Sequence, residues 1–585
     1  MVCIRIAVID RKKCQPKKCA HECEKFCPGV RMGDETITFD PEKGTPVINE
    51  ELCTGCGICV KKCPFNAISI INLPEALGSP VHQYGKNGFR LFGLPTPKKG
   101  IVGVIGRNGT GKTTLVRILS GGLVPNMGKE KLEYWGPVLE KFKRTEVGQY
   151  LEKIASRKAR LAVKPQEVDQ IPRMFSGTVR EMIDKYDETG KARELVREFG
   201  LESCLDTLVS QVSGGELQRT ALISTISRNA EYFFFDEPSS FLDVKQRINA
   251  ARIIREHLGE KFVFVVEHDL AVLDYLTDYV HVVYGKPGAY GIVSSLKPSR
   301  SGINEFLEGF LKTENVRIRD YPIRFEAKPP ADAWKGKKRI EYGGFVKSFE
   351  SFTLRADPGE VVKGEVVGIL GPNGIGKTTF VKVLAGEEKP DAGTPGIDEK
   401  ISYKPQYISL EYEGTVREWI SEQDVDTEFF KAELELFVRD LYDKQMADLS
   451  GGERQRVVTA VALAKNAGIC LLDEPSAYLD IEQRMIIAQK IKRASEKREI
   501  TTMVVDHDIV FQDAVANRIL VFSGAPGVQG FAESPESMEE GMNRFLSGMQ
   551  ITFRRDLETG RPRVNKPGSQ LDREQKKTGK YYYTG

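Results

Sequence analysis

Nine of the chain's 11 cysteines fall within its first 63 residues, at the spacing of thiolate ligands. Cys53, Cys56, Cys59 and Cys63, followed by Pro64, form C-x2-C-x2-C-x3-C-P. In such a run three thiolates hold one iron–sulfur cluster and the fourth reaches across to another. Cys14, Cys19, Cys23 and Cys27, followed by Pro28, form a wider run that closes on the same Cys-Pro. Exchanging the fourth ligands predicts Cys14, Cys19, Cys23 and Cys63 around one [4Fe-4S] cluster and Cys53, Cys56, Cys59 and Cys27 around a second. A pair of four-cysteine zinc sites is the alternative, against which the paired Cys-Pro endings weigh. Cys3 is left over as a plain buried thiol, and His21, lying among ligands whose count is already filled, reads as a surface histidine. No flavin or nicotinamide fingerprint accompanies the cysteines, so structural or mechanical clusters are expected rather than an electron relay.

Behind this head a phosphate-binding motif is written twice. Residues 106–113 (GRNGTGKT) and 371–378 (GPNGIGKT) match G-x-x-x-x-G-K-[ST], each between an apolar strand and a helical pattern. Gly106, Gly109 and Gly111, like Gly371, Gly374 and Gly376, let backbone N–H groups wrap phosphates, with Asn108 and Asn373 in the same loops. Lys112 and Lys377 reach the β/γ-phosphates of ATP. The hydroxyls of Thr113 and Thr378, beside Thr114 and Thr379, meet Mg²⁺. Apolar strands ending in Asp236-Glu237 and Asp473-Glu474 supply Asp236 and Asp473 for Mg²⁺, and Glu237 and Glu474 to polarise the attacking water. Each copy also carries S-G-G-E-x-Q-R (213–219, 450–456) just before its acidic strand, and His268 or His507 about thirty residues after it.

Together these motifs resemble the ATP-binding cassette (ABC) ATPases. The resemblance implies that Gln166 and Gln406 approach Mg²⁺, that Ser213, Gly214, Gly215 and Ser450, Gly451, Gly452 are signature residues on the phosphates, that Asp243 and Asp480 are D-loop residues, and that His268 and His507 are switch histidines. In that family two cassettes face head to tail. One composite site would then use Lys112, Thr113, Gln166, Asp236, Glu237 and His268 with Ser450 and Gly452. The other would use Lys377, Thr378, Gln406, Asp473, Glu474 and His507 with Ser213 and Gly215. Both signatures carry glutamate, Glu216 and Glu453, where many transporters have glutamine. Tyr84 and Tyr342 stand where an adenine-stacking aromatic is expected, with core packing as the alternative and Phe89, Phe345 and Phe349 as competitors.

The elements that must position these residues are also legible. A chain of 585 residues with 40% hydrophobic content has material for several packed cores. Its apolar runs fall far short of the roughly 18 residues of a spanning helix. The first ten residues alternate as a strand does and show no leader pattern, which together with clustered free thiols fits a cytoplasmic protein. A net charge of only +3 confines any nucleic-acid contact to local patches. Lysine to glutamine spans 54 positions in the first copy (112 to 166) and 29 in the second (377 to 406), an insertion of 25 residues. Within it Val147, Tyr150, Leu151 and Ile154 repeat at helical spacing, and Val138 with Phe142 marks a shorter helix before them. Residues 126–164 hold ten Lys/Arg, among them Lys141, Lys143, Arg144, Arg157, Lys158 and Arg160, against five acidic residues. That charge could meet a phosphate backbone or simply be solvated.

Two further stretches lie outside the cassettes. Arg317, Arg319, Arg324, Pro329, Pro330, Lys337, Lys338 and Arg339 fall in the first, and Arg554, Arg555, Arg561, Arg563, Lys566, Lys576 and Lys577 in the second. Both read as ordered hinges with basic surfaces, disorder being the alternative for about the last fifteen residues, which have little to bury. The divisions are 1–75 (iron–sulfur head), 76–295 (first cassette, insertion at about 127–164), 296–338 (hinge), 339–530 (second cassette) and 531–585 (second hinge and tail).

This order of parts resembles subfamily E of the ABC proteins, the ribosome-recycling ATPases of archaea and eukaryotes also known as RNase L inhibitors. The resemblance implies an α/β protein with two head-to-tail cassettes and an α+β ferredoxin-like head, carrying two [4Fe-4S] clusters, ATP and Mg²⁺. It implies binding to the small ribosomal subunit and its rRNA, and splitting of post-termination ribosomes with a release factor or a Pelota-type relative. Initiation factors are further implied partners; the chain would be a monomer whose cassettes pair with each other, away from membranes. The alternatives are an ABC ATPase acting in initiation or on other nucleic acid, and the ATPase of a transporter, for which neither the head nor the hinges have a use.

Overall fold

The structure is a computed structural model describing residues 3–11, 13–41, 44–50, 52–74, 78–129, 134–325, 338–408 and 412–582, with the side chains of 3–6 and 72–74 left out. The Cys3 thiol and the hinge residues Pro329, Pro330 and Lys337 lie outside that description.

The alternating N-terminus forms the strand Cys3–Ile9, antiparallel to Ile68–Pro74. A hairpin of Ile37–Phe39 and Pro46–Ile48 and three short helices, Glu22–Lys25, Pro28–Arg31 and Ile58–Lys62, complete the head. Ala7, Ile9, Ile37, Ile48 and Ile68 share its small core with the cysteines. His21 is half-buried, stacked on Phe39 at 4.1 Å between centroids.

Each cassette is built on a parallel sheet whose central strands are apolar throughout, as strands covered on both faces must be. In the first cassette Tyr279–Lys286, Gly100–Gly106, Phe262–Val266, Tyr232–Asp236 and Leu161–Lys164 lie side by side in parallel. The second repeats this with Arg518–Ala525, Val366–Leu370, Thr501–Val505, Ile469–Asp473 and Ile401–Lys404. The phosphate loop and the acidic pair therefore emerge at the carboxyl ends of neighbouring strands, where parallel sheets bind ligands.

The insertion folds as Gly136–Lys141 and Glu146–Ala155. Val138, Val147, Tyr150, Leu151 and Ile154 are buried on the first cassette, with the Tyr150 hydroxyl donating to the Leu119 carbonyl. Leu161–Lys164, counted with the insertion from spacing alone, is an edge strand of the sheet. Lys141, Lys143, Arg144, Arg157, Lys158 and Arg160 are all exposed.

The described parts of the stretches read as hinges with basic surfaces turn much of their charge inward. Arg319 and Arg561 are buried, and Arg561 and Arg563 ion-pair with Asp274 of the first cassette. Arg555 pairs with Asp513 of the second cassette at 2.7 Å. The hinges also hold each other, Arg300 and Asn304 bonding Asp556 at 3.0 and 3.2 Å. The tail continues as the helix Gln570–Thr578 and buries Tyr581 and Tyr582, so disorder does not begin fifteen residues from the end. Its carboxylate partners lie 42 positions upstream at Asp513 and 287 at Asp274, which is why local composition reads as surface charge. Arg317, Arg324, Lys338, Arg339, Lys566 and Lys577 remain exposed.

Candidate active site

The two phosphate loops are built alike. Gly111 and Gly376 cap the helices Lys112–Leu119 and Lys377–Ala385 in left-handed conformation (φ 94° and 97°). A side chain at either would strike an aromatic ring: a Cβ on Gly111 would lie 2.6 Å from Phe89, and one on Gly376 2.8 Å from Phe352. Lys112 Nζ donates to the carbonyls of Gly106 and Arg107 at 2.8 and 2.9 Å, and Lys377 Nζ to those of Gly371 and Pro372 at 2.9 and 2.6 Å. Both lysines are thus buried at the root of the loop. Burial lowers their pKa, Lys377 to about 8, a penalty that phosphate charge would reverse.

The acidic pair follows in each copy. Burial, with the adjacent glutamate, pushes Asp236 and Asp473 up to about 6. Among the described residues neither Asp473 oxygen has a well-formed hydrogen bond, nor does Oδ1 of Asp236, while Thr378 and Thr113 stand beside them. Buried carboxylate oxygens next to a loop hydroxyl fit Mg²⁺, whose charge would return these groups to the ionised form. Gln166 donates to Glu237 Oε1 at 2.7 Å and Gln406 to Glu474 Oε1 at 2.8 Å. His268 Nε2 lies 3.7 Å from Glu237, and His507 Nε2 lies 3.4 Å from Glu474. Burial and the nearby lysine and arginine hold both imidazoles neutral. Against the effect of burial, the hydrogen bonds from His507 and Gln406 and the charge of Lys377 keep Glu474 below the usual carboxylate range. An ionised glutamate beside a neutral histidine can orient and deprotonate water.

The cassettes meet through these loops. Asn108 N donates to Asp480 at 2.7 Å and Asn373 N to Asp243 at 3.2 Å, each across the interface. Asn108 and Asn373 side chains reach the carbonyls of Tyr478 and Phe241. Those D-loop residues have φ of 63° and 64° and lie against the signature glycines Gly451 and Gly214. Ser213 and Ser450 cap the helices Gly214–Ile226 and Gly451–Ala464 in reciprocal boxes with Glu216 and Glu453. This accounts for the glutamates: they are capping partners, each box contributing about 1 kcal/mol, and the helix N-termini they secure suit an anion.

The interface is not symmetric. Glu482 accepts from Tyr321 at 3.1 Å and pairs with Arg107 and Arg319 at 3.5 and 3.6 Å, tying one phosphate loop to the opposite D-loop helix and the first hinge. The equivalent positions in the other half are Pro372 and Lys245, which cannot form this set.

Of the aromatics, Tyr84 is partly exposed with its hydroxyl 3.2 Å from that of Thr114. Tyr342 is 3% exposed and packs edge-on against Phe380, so it offers no face to a base. The pair that the two loops share is instead Phe89 and Phe352. The repeated F-x-L ahead of each loop, Phe89 with Leu91 and Phe352 with Leu354, was the available signal. Lys164 and Lys404 were likewise missed and donate to the backbone of the acidic pairs.

In the head, burial raises Cys14 to about 11, with Cys63 and Cys19 adding negative charge beside it, and raises Cys23 to about 12, with Cys63, Cys19 and Cys14 around it. Cys59, also raised to about 11 by burial, has Cys53, Cys56 and Cys27 as its neighbours. The fold therefore gathers the two crossed sets. Four thiols in each set, one of them accepting a backbone N–H (Ala67 to Cys63, 3.4 Å), suit cubane ligation.

Comparison with known proteins agrees with this arrangement. A model of the ABC transporter family matches residues 93–240 and 356–477. A model described as a possible Fer4-like domain in RNase L inhibitor matches residues 4–35, and a 4Fe-4S binding domain matches 46–69. The chain is 43% identical to translation initiation factor RLI1 of Chaetomium thermophilum over 99% of its own length and 97% of the relative. A structure described as ribosome-bound archaeal Pelota and ABCE1 superposes with a TM-score of 0.91 at 53% identity, covering both chains fully. The crystal structure of an archaeal ribosome recycling factor with ribosomal stalk protein aP1 gives 0.82 at 51% identity, covering 86% of this chain and 99% of that one.

Proposed function

The chain belongs to the RNase L inhibitor family, subfamily E of the ABC ATPases, and on that premise we propose that it is an ATP-driven recycling factor splitting post-termination ribosomes into subunits. It carries two [4Fe-4S] clusters and hydrolyses ATP with Mg²⁺. Its partners are the small subunit with its rRNA and a release factor or Pelota-type protein, and its compartment is the cytoplasm; among the described residues no helix is long and apolar enough to cross a membrane. Glu237 and Glu474 orient the attacking water, Lys112 and Lys377 hold the phosphates, and the signature helices close each site from the opposite cassette. The name of the fungal relative favours a second task, action on the small subunit during initiation.

One observation carries the mechanical reading. The head is fastened to the first cassette, where Arg90 pairs with Glu50 at 2.6 Å and Asn87 bonds the backbone of Ile48. It touches the second cassette through Asn66 and Asp443, at 2.7 Å. A change in angle between the cassettes must therefore shift the head against one of them, converting nucleotide-dependent closure into a push. In a gradient assay with ATP and a Pelota-type partner, the wild-type protein should convert ribosomes to subunits. A variant lacking residues 1–75 should hydrolyse ATP but not split. Normal splitting by that variant, or a requirement for an added electron donor, would refute the lever.

A further inference from the structure

The Lys-Pro-Gln segments at 164–166 and 404–406 contribute more than their glutamines. Lys164 and Lys404 end the strands Leu161–Lys164 and Ile401–Lys404, which run beside the strands ending in Asp236 and Asp473. Both side chains are fully buried. Their acceptors are main-chain carbonyls: Asp236 and Glu237 at 2.9 and 3.1 Å for Lys164, and Asp473 and Glu474 at 2.6 and 3.1 Å for Lys404. Those carbonyls flank a turn that glutamate seldom adopts, with φ of 50° at Glu237 and 49° at Glu474. Two residues on, the glutamine of the same segment donates to the carboxylate of the same glutamate. One tripeptide therefore grips the glutamate at both ends, backbone and carboxylate, with the restricted proline between the two grips.

We propose that Lys164 and Lys404 are positioning residues that hold Glu237 and Glu474 in the left-handed turn from which their carboxylates meet the attacking water, making movement of the glutamine segment and aim of the glutamate a single event. A main chain in this region is strained, and strained turns persist only where surrounding contacts over-determine them. A buried ammonium spanning two successive carbonyls is such a contact, and it occurs in both cassettes although their surroundings differ. The proposal rests on Glu237 and Glu474 being the water-orienting groups.

The test is the Lys164→Met, Lys404→Met variant of the full-length, cluster-loaded protein, in which methionine replaces the aliphatic stem but donates nothing. ATPase kcat should fall at least about tenfold with KM for ATP nearly unchanged, the signature of an interaction that matters to the chemical step. Placed in the Glu237→Gln, Glu474→Gln background, the same pair should leave residual turnover within about twofold, since groups acting as one unit do not add. Three results would overturn the proposal: unchanged kcat, KM rising in step with the loss, or an undiminished loss in the glutamine background. Should the double variant fail to fold, the single variants, each leaving one cassette intact, are judged by the same criteria. Unfolding of either single variant would make that lysine a core residue and also overturn it. Wild-type turnover in the Glu→Gln variant alone would instead mark failure of the catalytic reading beneath.

Discussion

Replacing Asp274 by asparagine should destabilise the protein by about 3–5 kcal/mol, the range expected when one partner of a buried ion pair is removed. Asp274 accepts from Arg563 Nε and Nη2 at 2.6 and 3.0 Å and from Arg561 Nη2 at 3.3 Å. Its side chain is 2% exposed and that of Arg561 0%. Nε and Nη1 of Arg561 already lack an acceptor, so its guanidinium's one hydrogen bond among the described residues is the one to Asp274. Asparagine keeps the shape and removes the charge, leaving the buried Arg561 guanidinium with only the more distant carboxylate of Asp556 to offset it. Burial sets the magnitude: the exposed pair Lys143–Glu140, at 3.4 Å, is worth at most about 1 kcal/mol. A chain of several domains does not unfold in two states, so the readouts are the first thermal midpoint and protease nicking within 550–582. Asp274→Leu with Arg561→Met should recover part of the loss, because the buried Arg561 charge leaves with its partner while Arg563 keeps Asp556 at 3.3 Å. A single variant within about 1 kcal/mol of wild type, or a double variant no better than the single, would refute the inward docking of the tail.

Cys63→Ser should empty the upstream cluster although the residue lies in the downstream run, leaving about half the iron and sulfide of the anaerobically purified protein; loss confined to the downstream cluster would rule out the crossing. Glu237→Gln with Glu474→Gln should slow turnover by about 10²-fold or more while ATP remains bound, measurable as nucleotide retained after gel filtration; wild-type turnover would refute the assignment. Neutralising Lys141, Arg144 and Lys158 together should weaken small-subunit binding and lower the log–log salt slope by up to about 3, whereas an unchanged salt series would make the insertion a solvated face. Burial alone would raise Asp556, but the N–H groups of Glu558 and Thr559 with Arg561 and Arg300 hold it at about 2. Its contribution is therefore complete above the ordinary carboxylate value of about 4 and lost as pH falls from there toward 2, so acid should expose the tail to pepsin over that window and Asp556→Asn should abolish the pH dependence.

What was legible in the sequence was whatever chemistry demands of neighbours along the chain. Phosphate loops, acidic strand ends, signature caps and cysteine runs are contiguous, so spacing alone located them, and the crossed cysteine sets follow from the rule that the fourth thiolate of such a run serves the other cluster. Contacts between distant residues were not legible. The basic hinges look like surface because the carboxylate that buries Arg561 is 287 positions away. Tyr342 and Phe352 are both aromatic residues upstream of a loop, and only the sheet decides that one faces the core and the other the phosphate glycine. Lys164 and Lys404 were missed beside Gln166 and Gln406 because a lysine's acceptor, when it is a main-chain carbonyl on the next strand, leaves no trace in residue type.

The tail's anchoring points bear on how the two halves move. Asp274 lies six residues beyond His268, and Asp513 six beyond His507, on the equivalent helices Leu270–Leu276 and Ile509–Val515. The hairpin of Phe553–Arg555 and Pro562–Val564 grips one with each arm, Arg555 on Asp513 and Arg563 on Asp274, and the Tyr582 hydroxyl adds a further hydrogen bond to the two that Arg555 gives Asp513. Ion pairs buried to this degree do not slide without stranding a charge. The switch helices are therefore held at a fixed separation, and closure driven by ATP elsewhere along the interface becomes rotation about the tie. The Asn66–Asp443 contact joins exposed groups and can break at little cost. A firm tie at the hinge and a weak contact at the head place the largest displacement at the clusters, where a mechanical role requires it.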